Sequence, residues 1–301
     1  MLKPDQPLVS IITLNWNSTA VTCEFLCSIK EQNSYHNIEV IIVDNASKED
    51  PTKTFLSIYP SAKVIRNQVN LGFSGGNNAG LRIAKGEYLF IVNNDTEFTP
   101  GLLDGLVSLF KEHSDAGIVS PKFHYFFDKG TIEYAGYKPV NIFTGRNSMV
   151  GCREKDNGQY DEVKETEYAH GGGMMVSRKV IEKAGLMPEE FFLYYEEFDW
   201  SVRIRKKGFK IYYQPKSLIY HKESMTTGKL SSLKTFYLTR NRILFMRRNI
   251  SFMGLSVFFF YFTFFTIPKN TISYLVKRQK DHLISFWKGI LWHFNSNITF
   301  N

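Results

Sequence analysis

Apolar and polar positions follow two rhythms along the first 123 residues, short β-branched runs taking turns with stretches of helical period. That succession is the signature of a parallel sheet wrapped by helices. Strands are predicted at 9–14, 39–43, 63–67, 88–92 and 117–121, with helices at 19–32, 51–59, 75–84 and 101–113 between them. Polar residues cluster just past three strand ends: Asn15 and Asn17, Asp44 and Asn45, then Asn93, Asn94 and Asp95. Ligands of open α/β sheets bind outside the carboxyl ends of the strands, so these clusters are expected to converge on one site. After Lys122 the pattern loosens through a polar, glycine-containing stretch to Glu167. It resumes with 172–177, an acidic helix, and strands near 210–214 and 217–221.

The tail differs in kind. Residues 250–268 carry no charge, are dominated by Phe, and are bracketed by Arg247, Arg248 and Lys269. That is short for a bilayer span, which needs roughly 20 apolar residues. Further on, Leu283, Phe286, Trp287, Ile290, Leu291 and Phe294 recur at helical spacing with Lys288 among the polar positions, the pattern of a helix lying in an interface. The same periodicity fits a pair of amphipathic helices packed on the core.

Charge sharpens this division. The 301 residues carry a formal +8, enough chain for one large domain or two small ones. From Lys222 onward, 12 Lys or Arg stand against Glu223 and Asp281, a net of +10 that leaves −2 for residues 1–221. Positive charge flanking apolar runs points to an anionic membrane surface and away from nucleic acid. Cys23, Cys27 and Cys152 lack zinc-ribbon spacing and read as reduced, intracellular and mostly core. No basic region followed by an apolar run opens the chain, so no secretory signal is expected.

The densest chemistry lies at 191–203, where an aromatic run opens into three carboxylates and an arginine. On a helix Glu196, Asp199, Trp200 and Arg203 share a face and Glu197 points roughly 100° away. Asp199 and Arg203 are expected to pair, leaving Glu197 free. A helix N-terminus favours its ionised form, as a general base requires. The alternative is a capped, salt-bridged surface helix.

Asn70 to Gly80 is glycine-rich and opens a helix, so its amides could approach a phosphate closely, yet it matches neither nucleotide-binding glycine fingerprint. Within it, Gly72 to Gly76 fits Gly-x-Ser-x-Gly, and His170 to Gly173 resembles an esterase oxyanion loop, which raises a serine hydrolase with Ser74 as nucleophile and His221 as base. The order argues against it, because an oxyanion loop should precede the nucleophile. Asp95 follows an apolar strand. One carboxylate suffices for magnesium if a diphosphate supplies further oxygens, and His221, closing the last strand, is a further ligand that would suit manganese.

Together these segments resemble a family 2 glycosyltransferase of the GT-A fold, rhamnosyltransferase-like branch. The resemblance rests on 9–15, 43–47, 70–78, Asn93-Asn94-Asp95, 171–175 and 196–199, ending at His221. It implies a Rossmann-like α/β domain with a mainly parallel central sheet over 1–225, and a C-terminal helical, membrane-associating region over 226–301. It implies that Glu197 is the catalytic base, that Asp44 binds the nucleobase, and that Asp95 and His221 hold Mg2+ or Mn2+. Thr13, Asn15, Asn70, Gly72, Asn78, Asn93 and Asn94 fall on the donor side, and Gly172, Gly173, Glu196 and Trp200 on the acceptor side. The family's Asp-x-Asp appears here as Asn93-Asn94-Asp95, and its Glu-Asp pair as Glu196-Glu197. The implied activity is inverting transfer of a sugar, rhamnose among the options, from a dTDP-, UDP- or GDP-linked donor. The acceptor is a glycan or lipid-linked hydroxyl in cell-surface polysaccharide synthesis, at the cytoplasmic face of the membrane. A carbohydrate-binding protein without turnover on the same fold stays open beside it.

Overall fold

The computed structural model describes residues 6–222 and 231–295. β1 (Val9–Asn15), α1 (Thr19–Gln32), β2 (Ile38–Asp44), α2 (Thr52–Ile58), β3 (Lys63–Arg66), α3 (Gly72–Ile83) and β4 (Tyr88–Val92) alternate as the sequence predicts. β5 (Thr96–Glu97), α4 (Leu102–Glu112), β6 (Ala116–Tyr125), β7 (Ile132–Tyr134), β8 (Lys164–Glu165), β9 (Gly173–Ser177), α5 (Arg178–Ala184), α6 (Glu196–Lys206) and β10 (Lys210–His221) follow. The C-terminal helices are α7 (Ser232–Asn249), α8 (Phe252–Tyr261), α9 (Ile267–Val276) and α10 (Lys280–Leu291).

The sheet runs β3-β2-β1-β4-β9-β6-β10-β5, with β7 beside β6 and β8 beside β10. Its first four strands are parallel, as is the β6–β10 pair, but β9 is antiparallel to both neighbours, so the sheet is mixed. β9 is reversed because the chain enters it at the carboxyl end of β4, where Gly173 pairs with Val92. The turn before β9 therefore stands on the ligand side of the sheet. The two strands predicted near 210–214 and 217–221 are one, with a register shift between Gln214 and Leu218. Pro215 lies inside that shift, where no ladder donor is needed.

α3 begins three residues before the predicted start, and its glycines serve packing. A Cβ on Gly80 would stand 2.6 Å from Ile12 Cγ2, and one on Gly76 would stand 2.4 Å from Leu14 Cδ1. Glycine alone lets this helix lie so close to β1.

The tail divides. α10 buries Phe286 and Ile290 and packs on α7, whereas Leu291 and Phe294 of the same pattern stay exposed. Phe252 to Val276 is instead one helical run of 25 residues, its middle turn π-helical, with only 17% of its apolar window buried. It extends past the expected end at Pro268 and is long and apolar enough to cross a bilayer. Phe260, Phe264, Phe265 and Leu275 are exposed along it. The expected division at 225/226 falls outside the described residues, yet α7 beyond it joins one apolar cluster with Phe191 and Phe198 of the segment around α6. α7 packs on α6.

Candidate active site

The ends of β1, β2 and β4 are tied by one chain of hydrogen bonds. Asn94 Nδ2 donates to Thr22 Oγ1, which donates to Asn15 Oδ1, each at 2.8 Å. Asn15 Nδ2 in turn donates to Asp44 Oδ1 at 2.8 Å. Three of the polar clusters do converge. Asp44 is fully buried, and its oxygens also accept from Ser47 Oγ, Ser47 N and Arg66 Nε, at 2.5, 3.2 and 3.1 Å. Arg66, 38% exposed along its side chain, is the partner of Asp44 with room to move aside. Thr13, one turn of the pleat earlier, is buried with Oγ1 unpartnered.

At the other end of this row, Asp95 Oδ1 lies 3.3 Å from His221 Nε2. Both carboxylate oxygens of Glu133 lie 2.9 Å from His221 Nδ1. Burial opposes charge on this imidazole, but Glu133 and then Asp95 outweigh it and raise its pKa to about 10. His170 has the opposite fate: burial, then the neighbouring His221, lowers it to about 3. Its Nδ1 accepts from Gly172 N at 3.1 Å, and its Nε2 lies 3.9 Å from Glu133. Among the described residues no group of three His, Cys, Asp or Glu is arranged to hold a metal by itself. Asp95, and His221 once the ion displaces the proton from Nε2, nevertheless make a two-ligand set for a divalent ion that takes its remaining oxygens from substrate and water. Glu133 supplies the outer carboxylate that orients such a histidine. Sequence reasoning missed Glu133, which lies in the polar stretch where no period marked β7.

Between this cluster and α6 lies the glycine turn. Asn93 N donates to Gly172 O at 3.0 Å on one side, and a Cβ on Gly171 would stand 3.6 Å from Glu197 Cδ on the other. Glu197 is half-buried at the first turn of α6, and burial pushes its carboxyl up to about 7, against the pull of the Glu197 and Tyr195 backbone amides. The helix-end effect expected to keep it ionised is thus outweighed by desolvation. Glu196, deeper still, is raised well above the ordinary carboxyl range by burial and by the Glu197 charge, and its Oε2 has no partner. Of the two adjacent carboxyls, Glu197 is the one that titrates near neutrality.

The turn that delivers Glu197 is strained. Phe192, Tyr194 and Tyr195 have φ of 64°, 71° and 73°, a conformation costly for residues with a Cβ. α7 holds it: Asn241 Nδ2 donates to the carbonyls of Phe191, Leu193 and Tyr194 at 2.7–2.8 Å, and Arg240 to those of Glu190 and Phe191.

Several predicted site residues are occupied elsewhere. Trp200 is fully buried with its indole N–H on Gly185 O, so it packs the core and is turned away from any acceptor. Asp199 meets Arg248 and Asn249 of α7, and the guanidinium of Arg203 donates to Leu186 O, so these contacts stand in place of the expected Asp199–Arg203 pair. Asn78 exchanges two bonds with Met187 and one with Glu189, while Asn70 accepts from Asn45 and Gly72. Gly72, at φ 71°, admits Phe192 O, which a Cβ would meet at 2.3 Å. Gly72 and Asn78 thus fasten α3 to the 187–192 segment, Asn70 ties the head of α3 to Asn45, and Phe192 O takes the amide of Phe73. Gly172 and Gly173 have no room for a side chain against His170 and Phe123. Ser74 is buried inside α3 and His221 is engaged by Glu133 and Asp95, so no nucleophile elbow exists for the hydrolase alternative.

Residues 10–185 match the model of the family described as Glycosyl transferase family 2. The dTDP-rhamnosyl transferase RfbF of Shigella flexneri is 26% identical over 88% of this chain and 89% of its own length. The N-acetylglucosaminyl-diphospho-decaprenol L-rhamnosyltransferase of Mycobacterium tuberculosis is 22% identical over 64% of this chain and 69% of its own. Some relatives are longer: the match spans only 25% of an uncharacterised Sinorhizobium fredii protein that is 27% identical over 74% of this chain. Among solved structures, the mannosyltransferase PcManGT of Pyrobaculum calidifontis, in complex with GDP-Man and Mn2+, superposes with a TM-score of 0.61 at 14% identity. That superposition covers 97% of this chain and 88% of that one and supports the GT-A fold. By its matched span and its architecture, the chain belongs to glycosyltransferase family 2.

Proposed function

We propose that the protein is an inverting glycosyltransferase that moves a sugar from a nucleoside diphosphate to a hydroxyl of a glycan or lipid-linked acceptor in cell-surface polysaccharide synthesis. The observation that carries this reading is Glu197, a carboxyl titrating near 7, separated by the Gly171–Gly172 turn from the Asn93–Asp95 segment. A base with that pKa is ionised in a substantial fraction at neutral pH and is basic enough to take a proton from an acceptor hydroxyl as it attacks the anomeric carbon. Glu196, buried and raised well above the ordinary carboxyl range, leaves that role to Glu197. Asp95 and His221 would hold a divalent ion, with Glu133 fixing the imidazole. Such an ion, when bound, supplies positive charge to the departing diphosphate.

The donor's base would be read by Asp44 once Arg66 gives way. A carboxylate only accepts hydrogen bonds, which favours the N–H of uracil, thymine or guanine over the bare ring nitrogen of cytosine. Similarity to RfbF makes dTDP-rhamnose the first donor to test. The exposed apolar helix and the basic tail support placement at the cytoplasmic face of the membrane, where a lipid-linked acceptor is reached.

The test is release of nucleoside diphosphate from dTDP-, UDP-, GDP- and CDP-sugars with Mn2+ and a membrane extract as acceptor source. Release from one of the first three, and not from CDP-sugar, is expected. Binding of these donors without release would instead mark a carbohydrate-binding protein.

A further inference from the structure

Arg242, on α7, is only 4% exposed, and no carboxylate answers its charge among the described residues. Nη1 makes one long bond to Thr144 O at 3.4 Å, and Nε makes none. The stem lies against Gly145, whose absent Cβ would stand 2.9 Å from Arg242 Cγ, and the guanidinium sits 4.8 Å from the ring of Phe262. Burial lowers its pKa to about 10; Tyr195 opposes that shift and the charge of Arg146 adds to it. Arg146 is exposed and forms no ion pair among the described residues. Two neighbouring guanidinium groups, one buried with an unused donor, are strongly unfavourable unless an anion completes them, and phosphate oxygens match their fork.

The surroundings say which kind of anion. Tyr195 donates its hydroxyl to Gly145 O at 2.8 Å, and Tyr195 caps α6 two residues before Glu197. On the other side, Phe143, half-exposed on the same loop as Arg146, packs edge-on against Tyr261 of the exposed apolar helix at 6.1 Å. The loop at 143–146 thus links the turn before Glu197, the buried Arg242 and the apolar helix. An amphiphile carrying sugar, phosphate and hydrocarbon in that order would match these three.

We propose that Arg242 and Arg146 bind the diphosphate of a lipid-linked acceptor, directing its sugar toward Glu197 and its hydrocarbon along Phe143 and the 252–276 helix. The proposal rests on the glycosyltransferase reading above.

The test is calorimetry on the full chain in non-ionic detergent, its donor site filled with saturating nucleoside diphosphate and Mn2+. Farnesyl diphosphate is the probe and farnesol its uncharged control. Wild type is expected to bind farnesyl diphosphate at least about tenfold tighter than farnesol. Arg146→Gln should lose at least about fivefold of that affinity and Arg242→Gln most of the preference, with the dissociation constant of the nucleoside diphosphate unchanged in both. If Arg242→Gln does not fold, Arg146→Gln decides. Equal binding of farnesol and farnesyl diphosphate, or an Arg146→Gln variant as tight as wild type, overturns the site. So does competition by phosphatidylglycerol vesicles as effective as farnesyl diphosphate, which would assign the arginines to the membrane surface. A wild-type chain that binds no nucleoside diphosphate would refute the glycosyltransferase reading itself, a result distinct from these.

Discussion

Both oxygens of the Glu133 carboxylate lie 2.9 Å from Nδ1 of His221, and the opposite ring nitrogen faces Asp95 at 3.3 Å. Two strands far apart in sequence, β7 and β10, meet at this contact. An imidazole so held presents Nε2 in one direction, as a metal ligand at the edge of a substrate site must.

Glu133→Gln is therefore expected to weaken Mn2+ binding about 10- to 100-fold in the presence of nucleoside diphosphate, without unfolding the protein. Calorimetric titration of Mn2+ checks it. Unchanged affinity would show that His221 is held for packing.

Much of this site was legible beforehand and some was not, for identifiable reasons. The strands at 9–14, 39–43 and 88–92 carry β-branched runs, and the polar residues just past them sit where a parallel sheet must place its ligand. Asp44 and Asp95 were singled out that way, and His221 as the residue that closes the last strand. Glu133 was invisible because β7 is three residues long, too short for a period of two to register. Gly72, Asn78 and Trp200 were expected at the site, yet their partners at 185–192 are supplied by tertiary contact that no local pattern encodes. The same holds for Asp199, whose partner Arg248 lies 49 residues on.

Asn241 joins the tail to the catalytic turn through three carbonyls. Asn241→Ala removes the side-chain donor from the Leu193 and Tyr194 carbonyls, while Phe191 O keeps Arg240, and a loss of about 1–3 kcal/mol in urea unfolding is expected. Because the turn sets the position of Glu197, kcat should fall more than KM rises. A variant with lowered stability and unchanged kcat would separate the turn from catalysis.

The raised carboxyl of Glu197 fixes two pH dependences. As a base it must be ionised, so kcat/KM should rise with pH through about 7 and then level. For stability the sign is opposite. A folded pKa near 7 above the ordinary 4.5 favours the protonated native state. That contribution is full below pH 4.5, declines between 4.5 and 7, and is absent above. Glu197→Gln should therefore raise Tm at pH 8 and leave it unchanged at pH 4, the gain being at most about 3 kcal/mol. Equal Tm changes at both pH values would remove burial as the cause.

The central claim is that Glu197 takes the acceptor proton in transfer from a nucleotide sugar. Its most direct test is the rate of acceptor-dependent nucleoside diphosphate release by wild type and Glu197→Gln, measured beside the calorimetric dissociation constant of the donor for each. The account predicts a fall in kcat of about 10²- to 10⁴-fold with donor affinity changed less than about threefold. A variant that retains more than about a tenth of wild-type turnover would contradict it and move the base elsewhere.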